Sequence, residues 1–257
     1  MDALSGLAAM KASVRAGARE LVRELSVQFA RAEVVAILGR NGSGKTLTLH
    51  TLAGLRAPAD GEVWLDGSPI GSLKRRAVAL RLGLLPQDLE DTFVTTALDT
   101  VLIGRHPHLA LWQWETVEDE RIARSALATV DMADFAARHT DTLSGGEQRR
   151  VAVAALLAQQ PAIFLLDEPT NHLDPHHQLA VLDCFRELAN SGRTVITTLH
   201  DPTLAARFAD RVLLLFGDGR WSLGPTATTL TAAALSELYV APMIELGGNG
   251  RRVFVSA

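Results

Sequence analysis

Short runs of apolar residues, each bounded by residues that favour turns, recur along the chain. The clearest are Val34–Leu38, Ile163–Leu166, Thr194–Leu199 and Val212–Phe216. Runs that are apolar at consecutive positions are typical of strands buried on both faces of a parallel sheet. Helical spacing separates these runs, most clearly in Gly44–Leu52, Glu147–Leu157 and Pro175–Ala189. Strands that alternate with helices predict an α/β core.

Two stretches depart from this alternation. The N-terminal region and Gly61–Pro69 look antiparallel, with a short apolar run leading into an Asp66-Gly67 turn. From about residue 88 to residue 158 helical spacing dominates, and Thr116 with Asp119 has the spacing of a helix capping box. We therefore predict an antiparallel β subdomain and a helical subdomain, the latter inserted into the α/β core.

The C-terminal end has a pattern of its own. Met243–Leu246 and Arg251–Val255 flank a glycine-rich turn, which predicts a hairpin appended after the core. The predicted layout is one domain over residues 1–240, followed by a short C-terminal β extension over residues 241–257.

Composition narrows the function classes. Charged residues make up 21% of the chain and the formal net charge is -4, whereas a nucleic-acid-coating protein normally carries a basic excess. We therefore expect no nucleic-acid partner. Cys184 is the only cysteine, which excludes an internal disulfide and a cysteine-based metal site. The sequence shows no apolar stretch of about 20 residues and no signal-peptide pattern, so a membrane role would require a partner.

A glycine-rich loop follows the first core strand. It fits the pattern G-x-x-x-x-G-K-[ST] at every fixed position and consists of Gly39, Arg40, Asn41, Gly42, Ser43, Gly44, Lys45 and Thr46. The glycines let backbone N–H groups converge on phosphate oxygens, and the following helix adds its positive end. Lys45 is expected to reach the β- and γ-phosphates, and the Thr46 hydroxyl to ligate Mg²⁺. The loop predicts binding of a nucleoside triphosphate.

Two carboxylates end a later apolar strand. Asp167 and Glu168 follow Ile163–Leu166, at the carboxyl end where ligands of open α/β sheets bind. Asp167 suits the Mg²⁺ shell, and Glu168 can polarise an attacking water molecule. On its own this pair is equally typical of a solvated strand end, but the phosphate loop upstream favours the catalytic interpretation.

A further motif resembles the signature of ATP-binding cassette proteins. Leu143, Ser144, Gly145, Gly146, Glu147 and Gln148 are similar to the pattern LSGGQ, with Glu147 where that pattern has glutamine. The resemblance implies that Ser144, Gly145 and Gly146 close on a nucleotide held by a second copy of the chain. It therefore implies that the chain has a P-loop NTPase (RecA-like) core. It also implies a homodimer that binds ATP and Mg²⁺.

Three further residues match elements of the same family, and they occur along the chain in the order that the family has. Gln87 resembles the glutamine that contacts Mg²⁺ and water, Asp174 resembles the residue that reaches across the dimer, and His200 resembles the histidine that contacts the γ-phosphate. The resemblance thus assigns Glu168, His200 and Gln87 to catalysis, and Thr46, Gln87 and Asp167 to the metal. Taken singly, Gln87 and His200 would be ordinary turn or strand-end residues.

The sequence departs from the family near its N-terminus. An aromatic residue that stacks on adenine is common in the family, but none lies between Val14 and Arg19. Arg15 or Arg19 is the alternative platform for the base, which leaves GTP as a competing nucleotide. His172, His176 and His177 also lie close together, but we expect no structural metal there, because we identify no cysteine or acidic third ligand at a suitable spacing.

The resemblance implies the ATPase subunit of a membrane transporter. Residues 101–108, with Asn171–Asp174 and Leu199–Asp201, are similar to ATPase subunits that energise import of iron siderophores, haem and vitamin B12. The expected partners are integral membrane permease subunits, docked near Leu89–Thr96 and Arg105–Trp114, and a substrate-binding protein. The expected location is the cytoplasmic face of the inner membrane, as a peripheral subunit. An exporter ATPase and a soluble cassette that does not transport are the alternatives.

Overall fold

A computed structural model describes residues 6–88, 95–248 and 251–257. The strands are β1 (Leu7–Ala16), β2 (Arg19–Gln28), β3 (Val34–Gly39), β4 (Asp60–Leu65), β5 (Ser68–Pro69), β6 (Leu82–Leu85), β7 (Ile163–Leu166), β8 (Thr194–Thr198), β9 (Arg211–Leu215), β10 (Trp221–Pro225), β11 (Met243–Gly248) and β12 (Arg251–Ser256). The helices are α1 (Lys45–Leu52), α2 (Arg75–Ala79), α3 (Ala97–Ile103), α4 (Val117–Thr129), α5 (Gly145–Gln159), α6 (Pro175–Asn190), α7 (Pro202–Phe208), α8 (Thr226–Thr229) and α9 (Ala232–Tyr239).

The chain divides into two compact units. The phosphate-loop unit comprises Met1–Leu73 and Arg186–Ala257, and the signature unit comprises Lys74–Phe185. Each unit has its own buried apolar residues. None of the helices in the described part of the chain is long and apolar enough to cross a membrane.

The phosphate-loop unit contains parallel and antiparallel sheet. Strand β3 pairs in parallel with β8 on one side and with β9 on the other, and β10 runs antiparallel to β9. All positions of β3 and β8 are buried, as expected for strands covered on both faces, although β8 includes three threonines. An antiparallel sheet of order β2-β1-β4-β5 forms the predicted β subdomain.

The short β4–β5 hairpin depends on its turn residues. Asp66 and Gly67 have φ values of 48° and 80°, so both central residues are left-handed. This conformation matches the twist of two strands joined by a two-residue loop, and Asp-Gly is a favoured pair for it. The predicted turn is therefore confirmed.

The signature unit is built from helices and one parallel strand pair. β6 pairs with β7, with Leu84 opposite Leu165. Helices α3, α4 and α5 each begin with a capping box, and the box at Thr116 and Asp119 is the one predicted from sequence. Between residues 95 and 158 the described chain forms helices and turns, and none of the strands β1 to β12 lies there. The exact bounds of a helical subdomain stay a prediction.

The C-terminal hairpin packs on the phosphate-loop unit. β11 and β12 are antiparallel, and Phe254 is buried while its N–H donates to the Thr203 hydroxyl of α7 at 3.1 Å. Arg252 forms an ion pair with Glu245 across the hairpin and donates to carbonyl oxygens near α8, including that of Thr226. The hairpin is thus anchored by both apolar and polar contacts.

Candidate functional site

The phosphate loop joins β3 to α1. Lys45 is buried, and its ammonium donates to the Gly39 carbonyl at 3.0 Å and to the Arg40 carbonyl at 3.5 Å. These carbonyls belong to the loop that the lysine closes, so Lys45 is folded back over it. A lysine in this position can exchange carbonyl oxygens for phosphate oxygens without leaving the loop.

Two glycines are required by the shape of this loop. Gly44 precedes α1 with φ of 101°, a left-handed value that L side chains rarely adopt. At Gly39 a Cβ atom would collide with the Ser43 hydroxyl and the Leu215 carbonyl. The loop backbone can therefore pass close to its neighbours, as a phosphate cradle requires.

The Ser43 hydroxyl is buried and has no hydrogen-bond partner within the part of the chain that the structure describes. Buried polar groups in folded proteins are almost always satisfied, so such a hydroxyl needs an explanation. Its place in a phosphate loop provides one, because the hydroxyl would donate a hydrogen bond to a phosphate oxygen. The donor set of the loop therefore fits a triphosphate.

The two arginines considered as a base platform differ in their surroundings. Arg15 is engaged by carboxylates, with ion pairs of 3.2 Å to both Glu20 and Asp60. Arg19 instead donates to the carbonyl oxygen of Gly217 at 2.8 Å. A Cβ at Gly217 would lie 3.1 Å from the Cα of Ser43, so Arg19 is fixed beside the phosphate loop. Of the two, Arg19 is the better candidate.

His200 lies just after β8 and is exposed. The next residue, Asp201, caps α7 by accepting from the Thr203 N–H at 2.7 Å. The Tyr239 hydroxyl donates to the His200 carbonyl at 3.3 Å. Burial, with the nearby charge of Asp201, raises the pKa of Tyr239 to about 12, so the phenol remains a donor at neutral pH. Sequence reasoning did not single out Tyr239.

The acidic pair lies at the end of β7 in the signature unit. Asp167 is fully buried and Glu168 is 5% exposed. Glu168 has φ of 49°, a left-handed conformation that is uncommon for a residue with a side chain. Residues in such conformations cluster at functional sites. The Asn171 amide donates to the Glu168 carboxylate at 2.5 Å. Asn171 therefore fixes the orientation of the carboxylate proposed to polarise water.

The signature motif begins α5. Ser144 and Gly145 are exposed, and the Glu147 carboxylate accepts from the Ser144 N–H at 2.7 Å and from its hydroxyl at 2.8 Å. Glu147, the departure from the family pattern, thus completes the capping box. A Cβ at Gly146 would lie 3.2 Å from the His172 carbonyl. The signature glycines therefore lie against the backbone that leads to Asp174.

Arg149, which sequence reasoning missed, connects several of these motifs. It is 2% exposed and donates to the carbonyl oxygens of Asp167 at 2.6 Å and Glu168 at 2.8 Å. Those two bonds come from Nη2, and Nη1 donates to the carbonyls of Pro86 at 2.5 Å and Gln87 at 3.2 Å. The sequence held a signal: Arg149 shares one face of α5 with buried residues four and seven positions later.

Burial also affects the charge of Arg149. Desolvation lowers its pKa to about 10, and the charges of Asp167, Glu168 and Asp88 oppose that shift. The guanidinium therefore remains charged at neutral pH.

Gln87, the predicted metal contact, is half-buried and follows β6 after Pro86. Residues 89–94 of the predicted permease contact lie outside the described chain.

The histidine cluster has an acidic neighbour that the sequence interpretation did not include. Asp174, His176 and His177 have potential ligand atoms within 4.8 Å of one another, so an acidic neighbour is present. The premise that no acidic third ligand is available was therefore wrong. Asp174 accepts from the His177 N–H at 3.0 Å and lies 2.9 Å from its imidazole Nδ1. These contacts cap the start of α6 and lower the pKa of Asp174.

Comparison with known proteins assigns the family. Residues 22–171 match the family model described as ABC transporter. The chain belongs to the ABC transporter family. The family, the P-loop fold and the ATPase class expected from the sequence motifs are thereby confirmed.

Curated relatives of this ABC ATPase include import and transport ATP-binding proteins. It is 39% identical over 223 residues to the hemin import ATP-binding protein HmuV of Thermobifida fusca, covering 87% of this chain and 78% of the relative. It is 36% identical over 224 residues to the ferric enterobactin transport ATP-binding protein FepC of Escherichia coli, covering 87% and 83%.

Solved structures agree in fold. A metal-chelate type ABC transporter in an inward-facing conformation matches with a TM-score of 0.85 at 27% identity, covering 98% of this chain and 97% of the other. The dimeric MJ0796 cassette matches with a TM-score of 0.73 at 27% identity, covering 84% and 97%. A post-hydrolysis state of MJ0796 is bound to ADP and Pi.

Proposed function

We propose that this ABC ATPase energises import of a metal chelate, such as an iron siderophore, haem or vitamin B12, through a membrane permease. The observation that carries the proposal is the similarity to hemin and ferric enterobactin import subunits over 87% of the chain. A match of 27% identity to an Atm1-family exporter is weaker, so export is an outcome that the transport test must exclude.

The motif residues receive their roles from the family resemblance. Lys45 and the loop residues Gly39, Asn41, Gly42, Ser43 and Gly44 bind the phosphates. Glu168 orients and deprotonates the attacking water, and His200 contacts the γ-phosphate. The buried Ser43 hydroxyl and the Asn171–Glu168 hydrogen bond support these roles.

The residues assigned to Mg²⁺ fit that ion. Thr46, Gln87 and Asp167 offer a hydroxyl, an amide carbonyl and a carboxylate, and Mg²⁺ prefers oxygen ligands together with phosphate oxygens. The ion supplies neutralisation of phosphate charge when it is bound. Asp167 is fully buried at the end of β7, and its carboxylate oxygens are of the kind that Mg²⁺ prefers.

The adenine platform is assigned to Arg19. Its guanidinium is fixed beside the phosphate loop through Gly217, whereas Arg15 is held by two carboxylates. A guanidinium plane stacks on a purine without reading its edge. We therefore expect weaker selection of ATP over GTP than an aromatic platform with edge contacts would give.

The functional unit is a homodimer. Ser144 and Gly145 are exposed at the start of α5, where backbone N–H groups and the helix dipole favour an anion. The nucleotide they contact belongs to the second copy, and Asp174 reaches across the same interface.

A mixing experiment tests the shared site. Ser144→Arg should abolish hydrolysis while its own Lys45 still binds ATP, because the added bulk blocks closure on the partner's nucleotide. Ser144→Ala is the matched control, since it also loses the cap but adds no bulk. Mixed with Lys45→Ala, Ser144→Arg should restore at most one intact site per dimer, and full activity in the mixture would contradict sites shared between subunits.

The permease is proposed to dock in a groove of the signature unit. This groove of about 360 Å³ is lined mainly by apolar side chains, including Pro86, Ile103, Pro107 and Ala155. Pro86 precedes Gln87, so a permease segment in the groove would lie beside a residue assigned to the nucleotide's metal ion. Closure around ATP can then move the permease. The chain acts as a peripheral subunit at the cytoplasmic face of the inner membrane, and a substrate-binding protein delivers the cargo.

Crosslinking tests the groove. Ile103→Cys, at a side chain that is 53% exposed, should crosslink to a cytoplasmic loop of the copurifying permease in a Cys184→Ala background. Thr129→Cys, exposed at the end of α4, is the control. Equal crosslinking at both positions would place the docking surface elsewhere.

Uptake tests the direction and cargo. Cells that lack the chain should lose accumulation of labelled ferric siderophore, haem or cobalamin, and wild-type chain but not Glu168→Gln should restore it. Unchanged uptake of all three, or higher cellular accumulation of a compound normally expelled, would reject the import proposal.

A further inference from the structure

An apolar surface on the signature unit overlaps the end of the range Arg105–Trp114 predicted to contact a permease, but its residues do not line the groove described above. We call residues 109–117 the tryptophan loop. Within it Leu111, Trp112, Trp114 and Val117 are 83%, 91%, 85% and 88% exposed. Single exposed apolar residues are ordinary, but a cluster of large ones in one loop marks an interaction site. At this exposure neither Trp112 nor Trp114 packs in the interior of the signature unit.

The loop is held in one shape by Gln113. Its N–H donates to the Ala110 carbonyl at 3.0 Å, and its side-chain oxygen accepts from the Ala110 N–H at 2.9 Å. Trp112 has φ of 67°, a left-handed conformation that bulky residues rarely adopt. The two indoles on either side of Gln113 are thus displayed to solvent by an ordered turn, which lowers the entropy cost of binding.

The surroundings of the indoles are acidic. Residues 109–120 contain Glu115, Glu118, Asp119 and Glu120 and no lysine or arginine. Asp119 is buried against Arg105, and the other two acids on α4 pair with arginines one turn further along the helix. Glu115 has only the imidazole of His106 near it, at 3.5 Å, among the ion-pair partners of the described chain. Glu115 is therefore the carboxylate best placed for an external cation.

We propose that the tryptophan loop and Glu115 bind an arginine-bearing cytoplasmic segment of the permease. A guanidinium stacks on an indole and pairs with a carboxylate at once, which this combination of side chains allows. The proposal rests on the proposed function for the existence of that permease. It adds a second, electrostatic contact to the apolar groove.

Two observations favour a permease segment over the lipid surface. Anionic headgroups would be repelled by the Glu115 carboxylate, whereas cytoplasmic loops of membrane proteins are enriched in lysine and arginine. The loop also begins two residues after Pro107, which lines the proposed permease groove. One partner can therefore occupy both surfaces.

Calorimetric titration with an arginine peptide tests this chemistry directly. Acetyl-hexaarginine amide should bind the full-length chain saturably, and binding should weaken with added salt. Trp112→Ser combined with Trp114→Ser should abolish the heat signal, and Glu115→Gln should weaken binding by about tenfold. Leu55→Ser, which removes an apolar side chain that is 58% exposed elsewhere, is the matched control and should bind like the wild type.

The outcomes separate the possibilities. No binding by the wild-type chain, or equal binding by the double tryptophan variant, would overturn the proposal. A lipid site would give a different pattern: the wild-type chain would not bind the peptide but would sediment with phosphatidylcholine–phosphatidylglycerol vesicles in a 3:1 ratio, and the tryptophan variant would not sediment. That result would assign the loop to lipid instead. In pull-downs the tryptophan variant should retain less permease, and full retention would also overturn the proposal. A wild-type chain that retains no permease counts against the proposed function, whereas the titration still decides the chemistry of the loop.

Discussion

Arg149 Nη2 donates to the backbone carbonyl of Asp167 at 2.6 Å, so the signature helix is tied to the strand end that carries the acidic pair. The same side chain also reaches Pro86 and Gln87. A displacement of α5 would therefore be felt at both the acidic pair and the glutamine. This gives the signature a mechanical connection to the groups of its own subunit that are proposed to act in catalysis.

Arg149→Met should lower the free energy of unfolding by about 3 kcal/mol, because buried carbonyl oxygens lose their donors. Urea denaturation measures this loss of stability, with the dependence of the unfolding free energy on urea concentration expected to be unchanged. Arg150→Met is the matched control: Arg150 is only half-buried and donates to Val130 and Asp131 carbonyls at 3.2 Å. If the two variants are equally stable, Arg149 does not have the organising role described here.

Lys45→Ala should weaken ATP binding by about 100-fold, since the phosphates lose a charge-assisted contact from a buried lysine. Equilibrium titration with a fluorescent ATP analogue measures the affinity. Lys74→Ala, at an exposed lysine preceding α2, should bind normally. Near-normal affinity in Lys45→Ala would show that this loop is not the nucleotide site.

Glu168→Gln should leave ATP binding intact while hydrolysis falls by about 100-fold or more, as expected for a lost general base. Light scattering at saturating Mg-ATP should then report a trapped dimer. Glu187→Gln, at an exposed position of α6, should hydrolyse ATP like the wild type. A Glu168→Gln chain that stays monomeric under these conditions would argue against the shared site.

Asp119 should make stability depend on acid pH. Hydrogen bonds from Thr116, with the Arg105 contact, lower its pKa from 3.8 to about 2. The folded state binds its proton less readily than the unfolded state, so the contribution is complete above the unfolded pKa and disappears as pH falls through the folded one.

The stability difference between the wild type and Asp119→Asn should therefore be largest at neutral pH and shrink between about pH 4 and pH 2. Urea midpoints across this range measure the difference. Asp134→Asn, exposed in the same unit, supplies the reference. A difference that stays constant with pH would exclude this carboxylate as the cause.

Local chemistry determined much of this protein from the sequence alone. The phosphate loop, the signature and the strands β3 and β7 were predicted because glycine placement and continuous apolar runs act over neighbouring residues. The capping box at Thr116 and Asp119 was predicted for the same reason: both members lie within one helical turn. The family resemblance rested on such local motifs.

Tertiary structure decided which charged and aromatic side chains are buried, paired or displayed. Arg149 looks like an ordinary helix arginine until carbonyls from segments 62 and 18 residues away surround it. Arg15 and Arg19 are alike in sequence, but the carboxylates near Arg15 and the carbonyl of Gly217 near Arg19 separate them. Trp112 is a large aromatic residue, and the structure leaves it 91% exposed. Desolvation and ion pairing depend on neighbours distant in the chain, so no local pattern encodes them.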